Sequence, residues 1–145
     1  GPSPTASPSP SATATPSPSV TATATPSPTV TATPAPTATA GSCPGSTATW
    51  SGTLGGPGAG AVQPNGTYYT TTATGVHLGC LTGPAGTDFD LYLSRWNGTA
   101  WQVVASSTGS GSSESVSYSG SPGVYYWLVT SYSGSGVYTL RTARP

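Results

Sequence analysis

The sequence predicts an all-β fold: an antiparallel, jelly-roll-like β-sandwich of seven or eight strands behind a disordered Pro/Ser/Thr/Ala linker. Three observations lead there. Beyond Cys43, aromatic and β-branched residues come in short runs separated by Gly, Pro, Asn and Ser, the pattern of strands joined by turns. No helical pattern is visible in the same region. Before Cys43 the chain is almost wholly Pro, Ser, Thr and Ala, with too little apolar surface to offset the entropy of folding.

The linker occupies residues 1–42. From Pro2 to Ala40 only Val20 and Val30 interrupt its four-letter composition. Thr15-Pro16-Ser17-Pro18-Ser19-Val20 is echoed by Thr25-Pro26-Ser27-Pro28-Thr29-Val30, but a single valine per repeat cannot build a stacked core. Regular prolines favour polyproline II, which rises about 3.1 Å per residue, so the segment reaches on the order of 100 Å when extended. The expectation is a spacer. Its Ser/Thr density fits an O-glycosylated stalk as well as an unmodified tether.

The folded part, residues 43–145, is read as strands near Ala48 to Leu54, Thr67 to Thr72, Val76 to Leu81 and Asp88 to Trp96. Ala100 to Ser106, Ser113 to Tyr118, Gly123 to Ser131 and Gly136 to Thr142 follow. Between the first two, Gly55 to Gly60 lacks the Lys-Ser/Thr of a phosphate loop and reads as a mobile loop. Successive side chains on a strand point to opposite faces. Phe89, Leu91 and Leu93 therefore share the core face, with Asp88, Asp90 and Tyr92 outside. On the Gly123 strand, Tyr125, Trp127 and Val129 face in, while Tyr126, Leu128, Thr130 and Tyr132 face out; the opposite register would strand Trp127. Asn97-Gly98 between Trp96 and Trp101 marks a hairpin. Asn97-Gly98-Thr99 and Asn65-Gly66-Thr67 are also formal N-glycosylation sequons, and the turn reading explains both.

Six charged side chains serve the whole chain: Arg95, Arg141, Arg144, Asp88, Asp90 and Glu114. Three scattered arginines cannot line a phosphate groove or grip an anionic membrane, so no nucleic acid is expected as partner. No membrane insertion is expected either, since no apolar run approaches the roughly 18 residues of a spanning helix. The N-terminus has neither the basic start nor the apolar stretch of a signal peptide, so an exported chain would carry its signal further upstream. Cys43 and Cys80 are too far apart for a CxxC motif and too few for a closed zinc site. In an extracellular chain they are expected to pair, a bridge worth roughly 3 to 4 kcal/mol by chain entropy.

Catalysis finds little support in these residues. His77 is the only histidine, no Gly-x-Ser-x-Gly elbow is present, and Val76-His77-Leu78 reads as strand with the imidazole on its surface. Asp88, Asp90 and Glu114 are the calcium candidates the chain offers, but calcium wants six to eight oxygens. The competing reading has Asp88 and Asp90 capping a turn and pairing with Arg95 or Arg141. No cofactor is expected. Eight tyrosines and four tryptophans exceed what one small core can hold, so some rings must be exposed. Exposed rings on a rigid sheet suit uncharged polymers; the alternative is that they pack cross-strand and cover the core's edge with no ligand.

Gly86-Thr87-Asp88-Phe89-Asp90-Leu91-Tyr92-Leu93, then Glu114-Ser115-Val116-Ser117-Tyr118, then Gly123-Val124-Tyr125-Tyr126-Trp127-Leu128-Val129 occur in that order. With Tyr132-Ser133-Gly134-Ser135-Gly136-Val137-Tyr138 after them, the series resembles the bacterial pre-peptidase C-terminal domain. That domain is distantly like the collagen-binding domain of clostridial collagenases, and the fuller pattern, from Cys43 through Gln63-Pro64-Asn65-Gly66, Gly79-Cys80-Leu81 and Arg95-Trp96, is similar to C-terminal extensions of secreted actinobacterial trypsin-like serine proteases. The resemblance implies an accessory β-sandwich, partnered with a catalytic protease domain in the same precursor. It nominates Tyr126 and Tyr132, with Tyr92 on a neighbouring strand, as ligand-binding aromatics. Relatives bind calcium through an acidic N-terminal segment; no carboxylate precedes Asp88 here, so that site is expected to be absent.

The function expected is a non-catalytic module of a secreted, extracellular protease, tethering it to a polymer, a protein fibre or polysaccharide, through exposed aromatics. Two alternatives stand beside it. One is a structural or maturation domain that is cleaved off and has no ligand; the other is a glycosylated surface or matrix component.

Overall fold

The computed structural model describes residues 43–145; the linker expected over residues 1–42 lies outside the described residues. Nine strands follow in order: β1 (Ala48–Leu54), β2 (Gly60–Gln63), β3 (Tyr69–Thr71), β4 (Gly75–Thr82) and β5 (Asp88–Trp96), then β6 (Trp101–Ser107), β7 (Ser113–Gly120), β8 (Gly123–Ser133) and β9 (Gly136–Ala143). They form two antiparallel sheets, one of four strands in the order β1-β9-β4-β7 and one of five. The second runs β2-β8-β5-β6, with β3 also on β8. β2 and β3 share one edge of β8, β2 against Trp127 to Thr130 and β3 against Gly123 to Tyr125.

The core is the product of period two. Phe89, Leu91 and Leu93 of β5 and Tyr125, Trp127 and Val129 of β8 are buried together with Tyr138 and Leu140 of β9. Sheet packs on sheet because large rings meet positions without a side chain. A Cβ on Gly79 of β4 would lie 2.7 Å from the Trp127 ring, so only glycine leaves room for the indole. Tyr138 carries its polar tip across the layer, where its hydroxyl accepts a hydrogen bond from Gln63 Nε2 at 2.7 Å. That bond ties β9 to β2 and satisfies a buried hydroxyl.

Cys43 and Cys80 are bridged, with Cα atoms 5.9 Å apart, within the range a disulfide spans. The bridge fastens the start of the domain to β4, a strand flanked on both sides by β7 and β9. The Asn97 hairpin also forms. Trp96 pairs with Trp101, and Asn97 Oδ1 accepts hydrogen bonds from the N–H groups of Thr99 and Ala100 and the Thr99 hydroxyl. Asn65 sits in a left-handed turn, with φ 48°, so both Asn-Gly pairs serve as turns.

Four expectations need correction. The Gly55 to Gly60 stretch is not a free loop. Gly58 N–H donates to the Ser131 carbonyl and Ser131 N–H to the Ala59 carbonyl, leading into β2; a run of small residues hid the strand. Leu128, assigned outward at a cost, is half-buried because Val62 of β2 pairs beside it. Asp90 faces outward but is buried. His77 is not on the strand surface: it is 0% exposed. β4 turns His77, Gly79 and Leu81 inward and Val76, Leu78 and Cys80 outward, because the disulfide lies on the outer side and Gly79 must receive Trp127.

Candidate functional site

The outer face of the five-stranded sheet carries the candidate site. Alternation on β5 and β8 sets Asp90 opposite Thr130, Tyr92 opposite Leu128 and Ser94 opposite Tyr126 on this face. At its far end the Asn97 hairpin brings Trp96 and Trp101 together as a cross-strand pair, their ring centroids 5.4 Å apart in an edge-to-face arrangement. Trp101 lies 4.6 Å from Tyr126, also edge to face, and 6.1 Å from Tyr68. Such spacings are those of attractive ring pairs. Tyr68, Trp96 and Trp101 retain 57%, 38% and 37% exposure, so the cluster is packed on one side and wet on the other. With Val124 these three line a shallow groove.

Of the three tyrosines nominated from the sequence, only Tyr126 belongs to this cluster. Tyr92 is half-buried in the middle of the face, its hydroxyl donating to Asp90 Oδ2 at 3.2 Å. Burial and the neighbouring Asp90 push its phenol above the ordinary value. Tyr132 is 73% exposed but lies six residues beyond Tyr126 on β8, roughly 20 Å along an extended strand. Tyr68, Trp96 and Trp101 join it without being among those three, and the sequence holds a signal for the tryptophans. A hairpin turn closing between two tryptophans forces them into cross-strand contact.

Tyr132 instead lines a depression with Asp88, Asp90, Thr108 and Ser110. Burial is the main cause that raises the Asp90 carboxyl above the usual range, with the charge of Asp88 adding to it and the Tyr92 hydrogen bond opposing. Asp88 accepts from Gly111 N–H at 3.3 Å. Glu114 does not join them; it is buried on β7 and accepts a hydrogen bond from the Ser107 hydroxyl. Among the described residues no three His, Cys, Asp or Glu side chains gather as a metal site. Arg95, one of the two arginines expected to pair with Asp88 and Asp90, turns elsewhere. Arg95 Nη2 donates to the Pro122 carbonyl at 3.1 Å and its guanidinium lies over the Tyr125 ring.

His77 occupies an aromatic box. Its Nδ1 shares a 2.9 Å hydrogen bond with the Tyr69 hydroxyl, and the Tyr125 ring lies 4.2 Å away. Nε2 is buried with no hydrogen-bond partner, and burial lowers the imidazole's affinity for a proton. An imidazole enclosed by phenols touches neither carboxylate nor solvent, so it cannot serve a nucleophilic serine.

Residues 62–131, from the second half of β2 through most of β8, match the family model for the bacterial pre-peptidase C-terminal domain. Among solved structures the chain is similar to the pre-peptidase C-terminal domain of a collagenase from Bacillus anthracis. Identity is 19% and the TM-score 0.54, over 66% of this chain and 88% of that one. It is similar also to the Yersinia pseudotuberculosis-derived mitogen, at 18% identity and TM-score 0.54, over 68% of this chain and 85% of that one. At such identities the two structures speak to the fold. The family match over residues 62–131 and the shared two-sheet sandwich together make the folded module similar to a bacterial pre-peptidase C-terminal domain.

Proposed function

We propose that this module holds a secreted protease against an uncharged extracellular polymer, and that the outer-face rings Tyr68, Trp96, Trp101 and Tyr126 make the contact. The carrying observation is the exposed ring cluster on a rigid sheet, free of charged side chains within the cluster. Tyr and Trp supply large contact area with few rotors to freeze. In this reading Tyr132 and Tyr92 extend the same face toward a second point of contact. The linker, residues 1–42, is the spacer that sets the reach and local concentration of the catalytic domain. The disulfide suits an extracellular setting.

The test is retention of the full chain on insoluble protein fibre, chitin, cellulose and cell wall at low and high salt. Retention that survives salt and is lost in Trp101→Ala/Tyr126→Ala is expected, since ring contacts are not screened. No retention on any matrix, or retention untouched by the double substitution, refutes the ring surface. The first of those outcomes returns the module to a folding or maturation role.

A further inference from the structure

A second concavity lies away from the outer-face rings, at the end of the sandwich where the four- and five-stranded sheets part. Trp50 of β1, Tyr69 of β3, Trp127 of β8, Pro64, the Thr142 to Ala143 end of β9 and Arg144 just beyond it enclose a pocket of about 150 Å³. That is the volume at which a protein cavity accommodates one benzene-sized ring. Its walls are held in place. Trp50 Nε1 donates to Thr142 Oγ1 at 3.1 Å, and the Tyr69 hydroxyl is fixed by His77. Trp127 is pinned by Gly79 behind it.

One charge attends this pocket. The exposed Arg144 guanidinium stands 5.3 Å from the centroid of the Tyr69 ring. The acids lie elsewhere: Asp88 and Asp90 line the depression beside Tyr132, and Glu114 is bonded to Ser107. A purely apolar ring would fill the walls but leave the guanidinium unused, and a cationic ring would meet a like charge at the rim. A ring bearing a carboxylate satisfies both, the ring against indole and phenol and the carboxylate on the planar fork of the arginine.

We propose that this pocket binds a six-membered ring carrying a carboxylate a few bonds away, either a small aromatic acid or the C-terminal aromatic residue of a peptide. The site is independent of the polymer-binding reading and stands if that reading fails.

Phenylacetate, phenylacetamide and 2-phenylethylamine are titrated into the full chain, followed by the indole N–H resonance of Trp50. Phenylacetate is expected to shift it saturably in the millimolar range. Phenylacetamide should bind roughly tenfold more weakly, the factor corresponding to about 1.4 kcal/mol, and the amine weakest of all. Arg144→Gln should reduce phenylacetate to the affinity of the amide while leaving the amide's own affinity unchanged, a readout that misfolding would not give. Equal binding of acid and amide, no saturable shift with any probe, or an Arg144→Gln chain that still prefers the acid overturns the proposal. Gly-Gly-Phe with a free C-terminus separates the two sources. Binding tighter than phenylacetate, lost on C-terminal amidation, assigns the pocket to peptide ends; exclusion of the peptide while phenylacetate binds assigns it to small acids.

Discussion

Acidification should destabilise this domain through His77 alone over a definable window. The imidazole is fully buried, Nε2 has no acceptor, and the neighbours are Tyr69, Tyr118 and Tyr125. Arg144 and Arg95 stack on two of those rings, so the charges nearby are positive. The protonated ring would hold an Nε2–H with no acceptor and set a cation beside two others. Burial therefore lowers the folded-state pKa, while the unfolded chain keeps an ordinary value of about 6.5. Above that value neither state binds the proton and stability is full. Below it the unfolded chain gains a proton the folded chain refuses, and stability falls by up to about 1.4 kcal/mol per pH unit until the folded pKa is reached. Between about pH 6.5 and 5.5 the loss is at most about 1.4 kcal/mol, or on the order of 0.5 to 1 M in a urea midpoint. Asp90 acts oppositely at the acid end, because its raised carboxyl takes up its proton earlier in the folded state, so measurements are kept above about pH 5.5. The assay is urea unfolding by tryptophan fluorescence at about pH 7.5, 6.5 and 5.5, on the native chain and on His77→Phe. The variant should lose about 1 to 3 kcal/mol at neutral pH, because the Tyr69 hydroxyl is left unpaired, and should lose the pH slope between 6.5 and 5.5. A flat native profile, or a slope that persists in His77→Phe, refutes the reasoning.

Two further outcomes follow from the packing. Cys43→Ser/Cys80→Ser opens a bridge of sequence separation 37 and should cost about 3 to 4 kcal/mol; a thermal or urea midpoint unchanged by the substitution would refute it. Gly79→Ala places a methyl 2.7 Å from the Trp127 ring and should destabilise by about 1 to 3 kcal/mol. Gly55→Ala, with nothing within 4 Å of its added Cβ, should stay within about 0.5 kcal/mol of the native chain.

Much of this fold is written locally, and the parts that are not share a cause. β1 and β5 have the bounds read from the sequence, and the inward sets of β5 and β8 follow from alternation of large apolar residues. Where alternation gives no contrast, reading fails. β2 is Gly-Ala-Val-Gln, whose strand character comes from β8 beside it. On β4 the inward residues are His77, Gly79 and Leu81, while Val76 and Leu78 point outward, so hydrophobicity alone selects the wrong phase. Gly79 belongs inside only because Trp127, nearly fifty positions later, needs the space. The candidate site divides the same way. Tyr126 was legible from its strand, whereas its partnership with Trp101, Trp96 and Tyr68 depends on the β5-β6 hairpin and on the turn before β3, which join four separate segments. Tyr132 faces the same side as Tyr126, but β8 carries it too far away to act with it.

The bridge from Cys43 sets how the domain answers tension applied at its N-terminal side. β1 begins at Ala48, and its ladder to β9 starts with Ala48 against Thr142. Without the bridge, tension arriving at Cys43 would peel this edge strand pair by pair from that end. With it, the load crosses to Cys80 and enters β4, whose residues pair with Ser113 to Gly120 of β7 and with Thr139 to Ala143 of β9. Pulling then strains two ladders at once instead of opening one like a seam, and the edge strand is spared.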